Sequence, residues 1–189
     1  MDGQTASSTA SSTAPLESNG MRRLRYVYTA DSSLTHHAVF TKQRPGAPKS
    51  YDGGRLTVDN VYAASTSHGS SPTTNRPYDH AAQDAAAATS AVLSAGTAGG
   101  PGGGTLCRIV DVAPRHDFSL QRESNLDYAI VVEGSLVLVL GNGDEAVLGR
   151  GDVAVQRATR HLLRNPSETE WARVVLILQD CQREAARRV

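Results

Sequence analysis

Leu126-Asp127-Tyr128, Glu133-Gly134, Gly151-Asp152-Val153 and Gln156-Arg157-Ala158-Thr159-Arg160-His161, the last running on to Asn165-Pro166, are the segments that decide the fold. Six residues separate Asp127 from Gly134, and three separate His161 from Asn165. Around them lie short strand-like runs at near-regular spacing. These are Leu106 to Val112, Phe118 to Gln121, Tyr128 to Val132, Ser135 to Leu140, Glu145 to Leu148, Val153 to Gln156, His161 to Arg164 and Trp171 to Leu178. The turn Gly141-Asn142-Gly143-Asp144 closes a hairpin, because Asn and Gly tolerate positive φ. Short strands punctuated in this way predict an all-β sandwich or barrel over residues 105–181.

Outward from this region the chain changes character. Residues 21–65 hold further strand candidates: the alternating Leu24, Tyr26 and Tyr28, then Val39-Phe40, then Leu56 to Tyr62. The Pro- and Gly-bearing stretch Arg44-Pro45-Gly46-Ala47-Pro48 separates them as a loop. Residues 66–104 are Ser/Thr-rich, then Ala-rich at 85–88, then Gly/Pro-rich at 99–104. Glycine loses much backbone entropy on ordering and proline lacks a donor, so a disordered Ala/Gly-rich insertion is expected, acting as a spacer or as a lid. Residues 1–20 carry almost no large apolar side chains and read as a disordered tail. Residues 182–189 read as a polar tail with a short helix.

Composition narrows the class of function. The 189 residues carry 19 basic and 19 acidic side chains, close to balance in each half. Phosphate neutralisation requires a basic excess, so no nucleic-acid partner is expected. No apolar run reaches the length of a membrane span, so no membrane partner is expected either. The N-terminus lacks the layout of a secretory signal, which makes the cytoplasm the expected compartment and leaves Cys107 and Cys181 as free thiols. The glycines at 99–104 lack the Lys-Ser/Thr of a phosphate loop, and no hydrolase nucleophile motif is present.

The layout from Asp127 to Asn165 resembles the cupin superfamily, in particular the small cupin-domain proteins of fungal secondary-metabolite clusters. Asp127 stands at the acid of the first cupin motif and Gly134 at its closing glycine. His161 and Asn165 stand at the end of the second motif, with Ala158 where glycine is usual. The two positions of the paired histidines hold Gln121 and Glu123. The resemblance implies a jelly-roll β-barrel with an N-terminal strand extension, and homodimers paired through their sheets.

It also implies chemistry. Cupin metal sites gather three imidazoles and a carboxylate inside the barrel. Here the equivalent set is His161, Asp127, Glu123 and Gln121, which would favour Fe(II) or Mn(II), with a metal-free site as the alternative. Gln121 and Glu123, two apart on a strand, share a face, and Asp127 follows after a short turn. Both also have plain readings, Gln121 as a cross-strand partner and Glu123 as a turn residue. A metal-free site would use His161 as general acid or base, with Asp127 or Glu123 holding its tautomer. Arg157 is a candidate for a substrate carboxylate, or else a surface charge pairing with Asp152. His116 has the opposite strand parity from Gln121, and His36, His37, His68 and His80 lack ligand spacing. The expected function is a tailoring enzyme, a cupin-type oxidoreductase acting on an aromatic or polyketide small molecule. The alternatives are an acid–base cupin (isomerase, dehydratase or decarboxylase) and a non-catalytic binding cupin.

Overall fold

The computed structural model describes residues 17, 19–31, 38–65, 104–120 and 125–180. The disordered tail expected over 1–20 falls largely outside these residues. So do the insertion expected over 66–104, save Gly104, which opens a strand, and the C-terminal helix, Cys181, Gln121 and Glu123. The described chain is built almost wholly of strands: β1 (Arg25–Asp31), β2 (Ala38–Pro45), β3 (Lys49–Tyr51), β4 (Leu56–Ser65), β5 (Gly104–Val112) and β6 (Asp117–Leu120). There follow β7 (Asn125–Glu133), β8 (Leu136–Leu140), β9 (Glu145–Leu148), β10 (Val153–Arg157), β11 (His161–Arg164) and β12 (Ala172–Asp180). One 3₁₀ turn, Asp52–Gly54, links β3 to β4.

Two sheets face each other as a jelly roll. One runs β10-β7-β12-β5-β4-β3 and the other β6-β11-β8-β9, and every pairing is antiparallel. Strand alternation sends one parity of each strand inward. Leu106, Val110 and Val112 of β5, Ala129 and Val131 of β7, and Val174, Leu176 and Leu178 of β12 meet Phe118, Leu136 and Leu163 of the opposite sheet in one core. The apolar burial on those inward rows is what holds the two sheets together.

Several expectations shift. The loop expected over 44–48 begins later, since β2 runs through Pro45. β7 starts at Asn125, so Asp127 is a strand residue and not the end of a turn. The N-terminal strand extension does add to the sandwich: β4 pairs with β5 from Leu56 opposite Val112 to Ser65 opposite Gly104, with a register shift between Asn60 and Tyr62. The β1–β2 hairpin stands as a separate two-stranded sheet.

The N-terminal segment is tied to the outer face of the larger sheet by buried charge. Asp111 and Arg173, opposite each other on β5 and β12, form a bidentate pair of 2.5 and 2.8 Å. Asp111 also accepts from Asn19 Nδ2 and Thr57 Oγ1, while Arg173 donates to the carbonyl of Arg22. Beside them the Tyr26 hydroxyl donates to Asp59 at 2.8 Å, and Arg44 lies over the Tyr26 ring. Burial and the Asp59 carboxylate push the Tyr26 hydroxyl well above its usual range.

The motif glycine Gly134 earns its place twice. Its φ is 71°, and a Cβ there would lie 2.9 Å from the Trp171 carbonyl oxygen. Asn165 pins the loop before β12: its side-chain amide donates to the carbonyls of Val112 and Glu170, and its oxygen accepts from Ser167 N.

Candidate functional site in the barrel interior

His161 opens β11, two residues before the core residue Leu163, and therefore faces inward. It is 6% exposed. Nδ1 lies 2.9 Å from the carbonyl oxygen of Thr159. A carbonyl only accepts, so Nδ1 carries the proton and Nε2 keeps its lone pair. Nε2 is buried without a hydrogen-bond partner among the described residues. Burial lowers the pKa of the ring below 6.5, against the opposing pull of the Thr159 bond. The imidazole is thus neutral at neutral pH, with a free base directed into the barrel. The expectation that Asp127 or Glu123 holds this tautomer gives way to a backbone carbonyl.

Asp127 is 3% exposed and shares the inward parity of Ala129 and Val131. Directly opposite it on β10 stands Gln156, on the inward side with Ala154. On the same face of β5, Arg108 lies buried between the core residues Leu106 and Val110. The larger sheet therefore brings a carboxylate, an amide and a guanidinium to the interior, and the smaller sheet brings the imidazole.

The crossing from Gln156 to His161 carries the chain from one sheet to the other. It turns at Ala158, whose φ is 52°. The Arg160 carbonyl holds the crossing to Gly141 N.

Of the expected site residues, the structure brings His161 and Asp127 to one interior. Gln121 and Glu123 lie outside the described residues. Arg157 is exposed at the end of β10, on the side opposite to Gln156, and does not reach the interior. Tyr128 is half-buried on the outer face. His116 is buried against Asp52, 3.3 Å away. Gln156 and Arg108 join this interior although they stand outside the motif positions. Their signal is a polar side chain at an inward position of an otherwise apolar strand.

The fold implies a metal, and the donors can be tested against one. Among the described residues no three His, Cys, Asp or Glu side chains gather as a metal set. The described interior offers one imidazole, one carboxylate and an amide, which is a feeble ligand because it carries no charge. A catalytic metal site uses about three good protein ligands. The described donors alone fall short of that number; Gln121 and Glu123, the other two expected ligands, lie outside the described residues.

No family model matches the chain. Phomopsin biosynthesis cluster protein C' of Diaporthe leptostromiformis is 36% identical over 151 residues, covering 79% of this chain and 75% of that protein. Oryzines biosynthesis cluster protein J of Aspergillus oryzae is 41% identical over 80 residues, 42% of this chain and 45% of its own. The cupin-domain-containing oxidoreductase virC of Hypocrea virens is 38% identical over 81 residues, 42% of each chain. Among solved structures, the Cupin_2 domain of an XRE family transcriptional regulator from Enterobacter cloacae covers 68% of this chain and 99% of its own, at 13% identity and TM-score 0.42. A Cupin 2 conserved barrel domain protein from Salinispora arenicola covers 41% of this chain and 64% of its own, at 22% identity and TM-score 0.38. With the motif residues from Asp127 to Asn165 placed on a jelly roll and these relatives in fungal biosynthesis clusters, the chain belongs to the cupin superfamily, among the small cupin-domain proteins of secondary-metabolite biosynthesis.

Proposed function

We propose that the protein is a small-molecule tailoring enzyme of a secondary-metabolite pathway, and that it moves a proton at Nε2 of His161. One observation carries this reading: a neutral imidazole whose Nε2 is buried and has no partner among the described residues, with its tautomer set by the Thr159 carbonyl. A general base needs a free lone pair near its operating pH and a fixed orientation, and His161 has both. A substrate bound in the barrel gives up a proton from an acidic C–H or O–H to Nε2. The resulting imidazolium shares the interior with the Asp127 carboxylate, whose negative charge opposes the cost of burying it. The proton then returns to another atom of the substrate. That sequence serves isomerisation, dehydration or decarboxylation of an aromatic or polyketide intermediate.

The second reading is a cupin-type oxidoreductase. It is favoured by the name that relatives such as virC carry over part of their length. One experiment separates the two. The substrate is the intermediate that accumulates in a producing strain lacking this protein, and the enzyme is purified without chelator. Wild type converts the intermediate, and His161→Ala loses at least about a hundredfold in rate with its melting intact. Full activity in His161→Ala sinks the proton-transfer assignment. Stoichiometric Fe or Mn, whose removal abolishes turnover, moves the reading to the oxidoreductase.

A further inference from the structure

Gln156 is 4% exposed, and its side-chain oxygen and nitrogen are both buried without a hydrogen-bond partner among the described residues. Reversing the amide brings no relief, because both ends are orphaned. An unpaired buried amide destabilises a fold, and an apolar side chain of similar size would fill the same place without that cost. Packing therefore does not account for glutamine at this position.

Its neighbours suggest what does. Asp127 stands directly opposite on β7, on the same inward face. Five residues further along the chain His161 presents Nε2, also without a hydrogen-bond partner among the described residues. A ligand lying between them would meet an amide that both donates and accepts, beside a carboxylate and a basic nitrogen that accept. An amide pairs in two-point fashion with a group that carries a donor and an acceptor side by side. A carboxylic acid has that shape, but it ionises at neutral pH and then has no donor left to pair with the amide oxygen. The buried cation Arg108 stands two strands away from Asp127. A carboxamide keeps both functions and carries no charge.

We propose that Gln156 is the specificity-determining residue of the barrel interior, and that it selects substrates bearing a primary carboxamide or lactam through a paired donor–acceptor contact. This rests on reading the interior as the substrate site.

The test uses benzamide, N,N-dimethylbenzamide and benzoate as probes of the full chain, with binding followed by ligand-observed NMR. Wild type binds benzamide at millimolar concentration, the affinity open to so small a ligand. It binds the dimethyl compound, which lacks the donor, and benzoate at least about tenfold more weakly. Gln156→Leu and Gln156→Met erase that preference. They also melt higher, by roughly 3 °C, because an orphaned polar group has been removed. The proposal is overturned if wild type does not bind benzamide, if it prefers benzoate, if both variants keep the preference, or if both melt lower. None of these outcomes touches proton transfer at His161, which turnover of His161→Ala tests separately. Loss of the His161 assignment would equally leave the benzamide preference standing.

Discussion

Ala158→Gly tests whether the crossing from Gln156 to His161 is under backbone strain. Ala158 occupies the left-handed region at φ 52°. For an L-residue with a Cβ that conformation costs roughly 1–2 kcal/mol. Glycine removes the cost, but its unfolded chain is freer, which takes back about 0.4–1 kcal/mol. The net expectation is a gain of about 0.5–1 kcal/mol. Urea denaturation measures it as a rise in midpoint at unchanged slope, since the surface exposed on unfolding stays the same. Ala158→Val provides the opposite arm: a branched Cβ in this region deepens the strain, and the midpoint falls. The ring nitrogens of His161 give a second readout through their ¹⁵N shifts. The Nδ1-protonated tautomer should persist in the glycine variant, because the Thr159 carbonyl that holds it follows the turn. A glycine variant less stable than wild type, or a valine variant equal to it, would refute the strain.

Three further outcomes are expected. Burial holds the folded pKa of His161 below 6.5, so the unfolded chain takes up its proton first. Stability should therefore fall as pH drops from about 6.5 through the folded value, by at most about 1.4 kcal/mol per pH unit, and be flat above. Denaturation midpoints across that range should lose this slope in His161→Gln, and an unchanged slope would show that another group is responsible. Arg173→Met leaves Asp111 buried without its cation and should cost about 3 kcal/mol, at the low end for a broken buried pair because Thr57 and Asn19 still donate to it. Adding Asp111→Leu should recover most of the loss, and a double variant as unstable as the summed single changes would contradict this. Gly134→Ala places a Cβ against the Trp171 carbonyl in a left-handed turn and should cost about 2 kcal/mol or more, read as a lowered melting temperature; an unshifted value would mean that the β7–β8 turn yields freely.

The barrel from β5 to β12 was legible because its strands alternate and its turns carry glycine, asparagine and aspartate. Hairpin chemistry at 141–144 and the spacing of His161 to Asn165 tie sequence position to three-dimensional position through local geometry alone. β3 was not legible, since Lys49–Tyr51 is too short to show a period. That N-terminal strands extend the sandwich was legible, but the partner of β4 was not, because β5 lies far along the chain and nothing local encodes the pairing. The inward place of His161 and Asp127 follows from parity with Leu163 and Ala129. The tautomer of His161 does not, since it depends on a carbonyl whose direction is set by the turn at Ala158. Gln156 and the Asp111–Arg173 pair could have been noticed as polar residues on apolar strands. What they meet across the sheet required the register.

The pairing of Ser65 with Gly104 makes the barrel indifferent to the length of what joins them. The two strand ends sit one strand spacing apart, so even a connection of few residues could join them. Loop-closure entropy grows slowly with length, and exchanging residues 66–103 for a four-residue turn would lower the closure cost by about 2 kcal/mol. That modest sum lets a connection at this point lengthen, shorten or change composition over evolutionary time at little cost in stability. The same junction is a natural place to open the chain for circular permutation or to graft a reporter domain.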